Sequence, residues 1–351
     1  MQRTAVSHPF GSLNSYNAAL AFHELGLLSY FHTCLYSPFG LDRRAYASLT
    51  SARVRTHPRP ECLRLLLMLC PHSAWSGRSP AQIDRTAVAF DRAVSSTISA
   101  DDETIYAYED SAVFSFRRAK ELGIGTVYEL PAAHFEETQC LLQREVARDA
   151  TLKPFLQALH EPEIKLMRKE QEIKLADTIV CPSSFVRNSV AAKANPEAQI
   201  VVIPYGADVS QPPKTWTQSS LDGPLKLVYA GSLGPQKGLH VLFQALELLP
   251  ASSYQLTLAG RWVPGFQKWL SRRSKINYRH VGQVRHSNIQ TLFRNNQVLI
   301  LPSLCDGFGL ILLEAMASGI PVIATDRTGA PDIVTPGTAS RPFQLQHYKL
   351  F

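Results

Sequence analysis

The chain has 351 residues, of which 45% are hydrophobic and 19% charged, and its formal net charge at pH 7 is +7. This length exceeds the size at which one hydrophobic core usually stops growing, so we expect two domains. The composition excludes a long disordered or collagen-like chain. The positive charge favours anionic partners, such as a nucleotide diphosphate, a phosphorylated acceptor or an acidic membrane surface; a merely solvated basic surface is the alternative.

The six cysteines are scattered, with no C-x-x-C pair and no histidine at zinc-ligand spacing, which indicates free thiols in a reducing cytoplasm. The N-terminal residues lack the apolar core of a signal peptide, and no apolar run reaches the roughly 18 residues that a membrane span needs. We therefore expect a cytoplasmic protein, and membrane contact, if there is any, would be peripheral at the inner face.

The first half predicts strands followed by helices. It begins with the strand RTAVSH, the loop PFGSLN and the helix SYNAALAFHELG, and continues with TIYAYED, SFRRAKELG and GTVYELP. The charged region 147–175 predicts helices that are broken near Pro154 and Pro162, and DTIVCPS predicts a strand before a helix over residues 184–192. Residues 210–223 are polar, proline-bearing and unpatterned, which is typical of a linker.

The second half alternates apolar strands with helices more regularly, from LKLVYAG through GLHVLFQALELL, YQLTLAG, QVLILP and LILLEAMASG to IPVIAT. Continuous apolar strands that alternate with helices indicate a parallel sheet covered on both faces, as in a doubly wound Rossmann-like domain. The sequence thus predicts an α/β protein with an N-terminal domain over residues 1–209 and a C-terminal domain over residues 224–351. Functional loops are expected at the carboxyl ends of the strands.

The segment SLCDGFGLILLEAMASG, residues 303–319, follows one of these strands. Its glycines let the backbone approach a ligand, and the N–H groups that open the next helix suit phosphate or sugar oxygens. Asp306 and Glu314 lie about two helical turns apart, so they could hold two parts of one ligand. On spacing alone, an ordinary amphipathic helix with an N-cap aspartate and a buried glutamate is the alternative.

This segment resembles the E-x7-E signature of glycosyltransferase family 4, the group 1 glycosyltransferases, with Asp306 in place of the first glutamate. The resemblance implies that Asp306 contacts the donor sugar and that Glu314 holds the ribose. It also implies donor contacts from Gly307, Phe308, Gly309 and Leu310. Aspartate is one methylene shorter than glutamate, so the donor sugar stays open.

The loop GSLGPQKG, residues 231–238, resembles the G-R-L-x-x-x-K-G loop of the same family. The resemblance implies that this loop, including Gly231, binds the donor and that Lys237 stabilises the leaving diphosphate. Ser232 stands at the usual arginine position, so Arg261 or another basic residue would have to supply the second cation. Val284, in the stretch HVGQV, would contact the nucleotide base.

In the N-terminal domain, the resemblance implies that His134 faces the transferred sugar in the cleft between the domains. Without it, a histidine in a loop is more often a surface or capping residue. Gly11 and Ser12, between the first strand and the first helix, match the loop that lies near the acceptor and the phosphates.

The resemblance as a whole implies the GT-B architecture, with two Rossmann-like domains facing a cleft. It further implies retaining transfer from a nucleotide-diphosphate sugar to a glycan, a lipid-linked or a small-molecule acceptor. No cofactor or metal is expected, because no Asp-x-Asp motif ends a strand, and Asp101 and Asp102 are adjacent rather than so spaced. No nucleic-acid partner is expected.

The end of the chain departs from the family, because GTASRPFQLQHYKLF stops where further strands and helices are usual. We therefore expect a C-terminal domain that is incomplete. A catalytically weak or inactive relative that acts as a binding or partner protein is the first alternative function, and a nucleotide-sugar epimerase or a phosphorylase is the second. A dinucleotide-dependent oxidoreductase is disfavoured, because no G-x-G-x-x-G opens either half with an acidic partner about 20 residues later.

Overall fold

The computed structural model describes residues 3–36, 49, 53–68, 79–207 and 223–334. Apart from Gly223, the predicted linker lies outside the described residues, and so do residues 335–351, on which the predicted early end of the domain falls. The described residues form two parallel β-sheets, of seven and five strands. The predicted α/β class with two Rossmann-like sheets is confirmed.

The first sheet has the strand order β3-β2-β1-β4-β5-β6-β7, and the pairings from β3 through β6 are parallel. Its strands are β1 (Thr4–Ser7), β2 (Leu28–Thr33), β3 (Val54–Thr56), β4 (Thr104–Tyr108), β5 (Gly125–Glu129), β6 (Thr178–Cys181) and β7 (Gln199–Val202). The strand order reverses between β1 and β4, so the loops that follow these two strands diverge and leave a crevice.

In the first half of the chain, helices alternate with the strands along the sequence. They are α1 (Leu13–Glu24), α2 (Pro58–Leu67), α3 (Pro80–Ser95), α4 (Val113–Leu122), α5 (Phe135–Arg148), α6 (Glu163–Leu175) and α7 (Ser184–Val190). Short 3-10 helices, Ala150–Phe155 and Gln157–His160, separate α5 from α6. Pro154 lies in the first of them and Pro162 directly precedes α6, which confirms the predicted helix breaks.

The second sheet has the order β10-β9-β8-β11-β12, and all its pairings are parallel. Its strands are β8 (Leu225–Ala230), β9 (Tyr254–Ala259), β10 (Tyr278–His280), β11 (Val298–Leu301) and β12 (Val322–Ala324). Its helices are α8 (Leu239–Glu247), α9 (Phe266–Ser271), α10 (Ile289–Arg294), α11 (Leu310–Ala317) and α12 (Ala330–Ile333). The order reverses between β8 and β11, so this sheet has its own switch point there.

The side chains of β8 point alternately to the two faces of the second sheet and join a buried core on each face. Leu227 and Tyr229 pack with α8 and α9 on one face, whereas Val228 and Ala230 pack with α10 and α11 on the other. All four side chains are buried. Because successive residues of a strand point to opposite faces, a continuous apolar strand is what a sheet covered on both faces requires.

The described residues divide into two compact units, and the second contains residues 132–161, 182–190, 202–207 and 223–334. Helix α5 therefore belongs with the second sheet by its contacts, although it precedes that sheet by many residues. The reason is apolar packing, because Leu142, Leu152 and Leu156 share one buried cluster with Leu233 and Phe266. The sequence-based domain boundaries stay a prediction.

Candidate functional site

The loops that follow β8 and β11, residues 231–238 and 302–309, lie side by side at the switch point of the second sheet. Leu304 N donates a hydrogen bond to Gln236 O over 3.0 Å. Gly238 has a φ of +71°, and a Cβ added there would lie 1.8 Å from Pro302 O. Only glycine fits this contact, so it sets how closely the two loops approach.

An ion pair between Lys237 Nζ and Asp306 Oδ2 connects these loops. The side chains are 27% and 14% exposed, so both are within reach of a ligand from solvent. Asp306 N also donates to Arg327 O over 3.0 Å, which fixes the backbone that carries the carboxylate. The structure thus brings together two residues that sequence analysis chose from separate motifs.

Buried contacts hold the turn that follows Asp306. Ser183 Oγ donates to Gly307 O over 2.6 Å, and Gly329 N donates to Phe308 O over 2.7 Å. The Phe308 ring is buried and packs edge-to-face on Tyr205 with ring centroids 5.5 Å apart. Burying such a ring contributes roughly 1.5–3 kcal/mol, so Phe308 anchors the turn, and its contact with a donor stays a prediction.

Helix α11 begins at Leu310, and its N-cap Gly309 adopts the left-handed conformation with φ +82°. The first N–H groups of a helix have no acceptor within the helix and carry partial positive charge, so they favour an anion. They lie directly after the turn that carries Asp306. The glycines and Leu310, which were predicted as donor contacts, therefore occupy one continuous turn.

Glu314 lies one turn into α11, and its side chain is 19% exposed. Its Oε1 atom lies 2.9 Å from Nδ1 of His286, which belongs to a 3-10 turn, His286–Asn288, beyond β10. Burial raises the pKa of Glu314, and the charge and hydrogen bond of His286 oppose that shift. No local motif links His286 to α11, so this contact was not predicted.

The other predicted donor residues lie on the same edge of the sheet, at the ends of β8, β9 and β10. Leu233 N donates to Arg261 O over 2.9 Å, which places Arg261 beside the loop that contains the exposed Ser232. The Arg261 guanidinium is exposed and donates to Gln283 Oε1 over 3.3 Å. Gly231 is exposed at the end of β8, and Val284 is half-buried at the loop after β10.

His134 is the N-cap of α5, and the structure places it in the compact unit that contains Asp306. Its Nδ1 accepts a hydrogen bond from Glu136 N over 3.3 Å, and its backbone N–H donates to Ser189 Oγ over 2.9 Å. The residue is 1% exposed. One turn further on, Thr138 Oγ1 lies 3.3 Å from Sγ of Cys305, which precedes Asp306.

Cys305 does not have the chemistry of a nucleophile, although it adjoins Asp306. It is buried, and burial raises the pKa of its thiol to about 11. A thiol with that pKa stays protonated at neutral pH, and the thiolate is the reactive form. Its contact with Thr138 therefore serves the packing of α5 on this loop.

Gly11 and Ser12 lie in the first unit, at the switch point beside β1. Ser12 is the N-cap of α1, and its Oγ accepts a hydrogen bond from Ser15 N over 3.2 Å. The structure gives Ser12 this capping contact, and its role toward an acceptor stays a prediction.

A second set of contacts missed by sequence analysis fixes the segment that starts at Ser183. Ser184 N donates to Asp332 Oδ2 over 2.8 Å, and the Ser184 hydroxyl donates to the other oxygen of the same carboxylate. The strings CPSSFV and TGAPDIV carry these residues, but nothing in either string predicts that they meet.

Within the described ranges, no group of three or more histidine, cysteine, aspartate or glutamate side chains is arranged to hold a metal ion. No helix in the part of the chain that the structure describes has the length and apolar character needed to cross a membrane.

Comparison with known proteins links this site to a family. Residues 213–341 match the family model of glycosyl transferases group 1. The glycogen synthase of Mycobacterium tuberculosis is 29% identical over 173 residues, which are 47% of this chain and 41% of that relative. The O-antigen chain mannosyltransferase B of Escherichia coli is 32% identical over 114 residues, 30% of each chain. The chain thus matches less than half the length of these curated relatives.

The fold of nearly the whole chain resembles that of several solved structures. The sucrose-phosphate synthase of Thermosynechococcus elongatus has a TM-score of 0.67 at 18% identity, covering 99% of this chain and 86% of that one. Anabaena HepE in complex with UDP and glucose has a TM-score of 0.63 at 17% identity, covering 98% and 86%. At such low identity the likeness shows the fold, and that fold is GT-B.

The capping contact of His134 leads to a test of stability. We expect His134→Ala to lower the free energy of unfolding by about 1 kcal/mol or more, because the Glu136 N–H loses its acceptor. His134→Asn should recover most of that loss, since asparagine is a preferred N-cap residue. Urea unfolding measures both. Gln143→Ala, on the exposed face of α5, is the control, and an asparagine variant as unstable as the alanine variant would contradict the capping role.

Proposed function

We propose that the chain is a glycosyltransferase of the group 1 class, which moves a sugar from a nucleotide-diphosphate sugar to an acceptor hydroxyl. The observation that carries the proposal is the ion pair between Lys237 and Asp306, because it joins both motif loops at the switch point of the second sheet. The family match over residues 213–341 supports the same conclusion. The complexes of Anabaena HepE with UDP and with UDP-glucose support a nucleotide-sugar donor.

Each charged group has a task in this proposal. The Lys237 ammonium neutralises the diphosphate as its bond to the sugar breaks, and the N–H groups that open α11 add partial positive charge. Asp306 accepts a hydrogen bond from a sugar hydroxyl, and Glu314 binds the ribose. Arg261 supplies the second cation, since its guanidinium is exposed and its backbone carbonyl pairs with the loop in which Ser232 replaces arginine.

The transfer proceeds with retention in this proposal. The acceptor oxygen attacks the anomeric carbon on the face from which the diphosphate leaves, so one C–O bond forms as the other breaks. The proton of the acceptor hydroxyl passes to an oxygen of the leaving diphosphate, and no protein nucleophile is required. Neutralisation by Lys237 takes the place of a metal ion, so no metal is needed. His134 orients the donor or acceptor sugar.

The acceptor in this proposal is a glycan or a lipid-linked sugar, with small molecules as the remaining class. The names of the two curated relatives, a glycogen synthase and an O-antigen chain mannosyltransferase, support a saccharide acceptor. Gly11 and Ser12 mark the acceptor side, at the switch point of the first sheet. The formal charge of +7 is compatible with work beside an anionic membrane.

Donor binding is tested by thermal unfolding of the purified chain with UDP-, GDP- and ADP-sugars. A ligand at 100 times its Kd adds about 2.7 kcal/mol of stability, and we expect one base to give such a shift. Lys237→Ala and Glu314→Ala should abolish most of it, because they remove the diphosphate and ribose contacts. Lys268→Ala and Glu247→Ala, exposed residues of the same unit, are the matched controls. A folded wild-type chain that no nucleotide stabilises would contradict the proposal.

Retention and metal independence are tested on the product. NMR of the newly formed linkage should show the anomeric configuration of the donor, and excess EDTA should leave the rate unchanged within about twofold, since a cation of the protein neutralises the leaving group. An inverted linkage, or a rate that EDTA abolishes and Mg²⁺ or Mn²⁺ restores, would contradict this part. Conversion of the sugar nucleotide without any acceptor would indicate an epimerase instead.

A further inference from the structure

The bond between His286 and Glu314 connects two segments that otherwise have different tasks. His286 begins the turn that follows β10, two residues beyond Val284 in the loop assigned to the base. Glu314 lies in α11, after the turn assigned to the sugar and phosphates. Their atoms Nδ1 and Oε1 lie 2.9 Å apart, which is hydrogen-bond distance. The bond therefore spans the region between the base loop and the phosphate turn.

The two side chains differ in exposure. His286 is 55% exposed, whereas Glu314 is 19% exposed, so the carboxylate lies deeper and the ring covers one of its oxygens. A carboxylate accepts up to about four hydrogen bonds, so one bond from His286 leaves capacity on Oε2. Because Nδ1 donates to Oε1, the rotation of the carboxylate is fixed with Oε2 directed elsewhere. A carboxylate that is already fixed loses less conformational entropy when a ligand binds.

We propose that His286 is a positioning residue for the donor, which holds the Glu314 carboxylate in the orientation that accepts the ribose hydroxyls. This inference rests on the proposed function and adds a residue to its donor site. His286 acts through Glu314 and need not touch the nucleotide.

The bond between His286 and Glu314 also allows the opposite interpretation. In it, the His286 side chain occupies the ribose position and must move away before a donor binds. The two interpretations predict opposite changes in nucleotide affinity when the histidine is removed. A positioning histidine strengthens binding, so its removal weakens affinity for nucleotides that have ribose hydroxyls. A competing histidine weakens binding, so its removal strengthens the same affinity.

The test compares a nucleoside diphosphate with its 2′,3′-dideoxy form by titration calorimetry, using UDP, GDP or ADP, whichever binds the wild-type chain. His286→Ala should weaken binding of the ribonucleotide about tenfold, because an oriented contact to a charged group is lost. It should leave the dideoxy nucleotide unchanged within about twofold, because that ligand offers Glu314 no hydroxyl. The ribose preference, expressed as the ratio of the two Kd values, therefore falls about tenfold.

Two further variants separate positioning from folding. His286→Asn should restore the ribose preference to within about threefold of wild type, because its side-chain amide can donate from near the position of Nδ1. Ser287→Ala, on the same exposed turn, should leave both affinities unchanged. An unchanged ratio, a ratio that rises, or an equal loss for both nucleotides in His286→Ala would overturn the inference. If the wild-type chain binds no nucleotide, the proposed function itself fails, and this inference fails with it.

Discussion

The close contact between the loops after β8 and β11 is the constraint on which the site of the second unit depends. Parallel pairing places these strands side by side at the switch point, and Gly238 lets the first loop lie against the carbonyl of Pro302. A side chain at position 238 would push the loops apart and separate Lys237 from Asp306. The ion pair contributes little to stability because both groups are partly exposed. Its importance is that it holds one cation and one carboxylate together at the switch point of the second sheet.

Buried contacts also hold the turn that carries Asp306. Ser183 holds the carbonyl of Gly307 from a segment that precedes the second sheet in the chain, and the buried ring of Phe308 anchors the next residue. Thr138 of α5 meets Cys305 at the start of the turn. These groups belong to one compact unit, although they come from distant parts of the sequence. Such support is what a charged site requires, because preorganised groups need little rearrangement when a ligand arrives.

Sequence patterns predicted the elements well, because strand and helix periodicities are local properties. The apolar run of β8 and the glycine turn before α11 both follow from short strings of residues. The membership of α5 in the second unit could not be predicted, since leucines at helical spacing do not indicate which core they enter. The bond from His286 to Glu314 was missed for a related reason. It joins side chains of separate elements, and only the packed structure places them together.

The central claim is that Lys237 and Asp306 act as one unit on one ligand. A double-mutant cycle tests it most directly, with Lys237→Ala, Asp306→Ala and the double variant, measuring the affinity for the sugar nucleotide that stabilises the wild-type chain. Residues in contact that share a ligand should be non-additive, and we expect a coupling free energy of about 1 kcal/mol or more. Effects that add to within about 0.5 kcal/mol would show that the two residues act independently and would contradict the account.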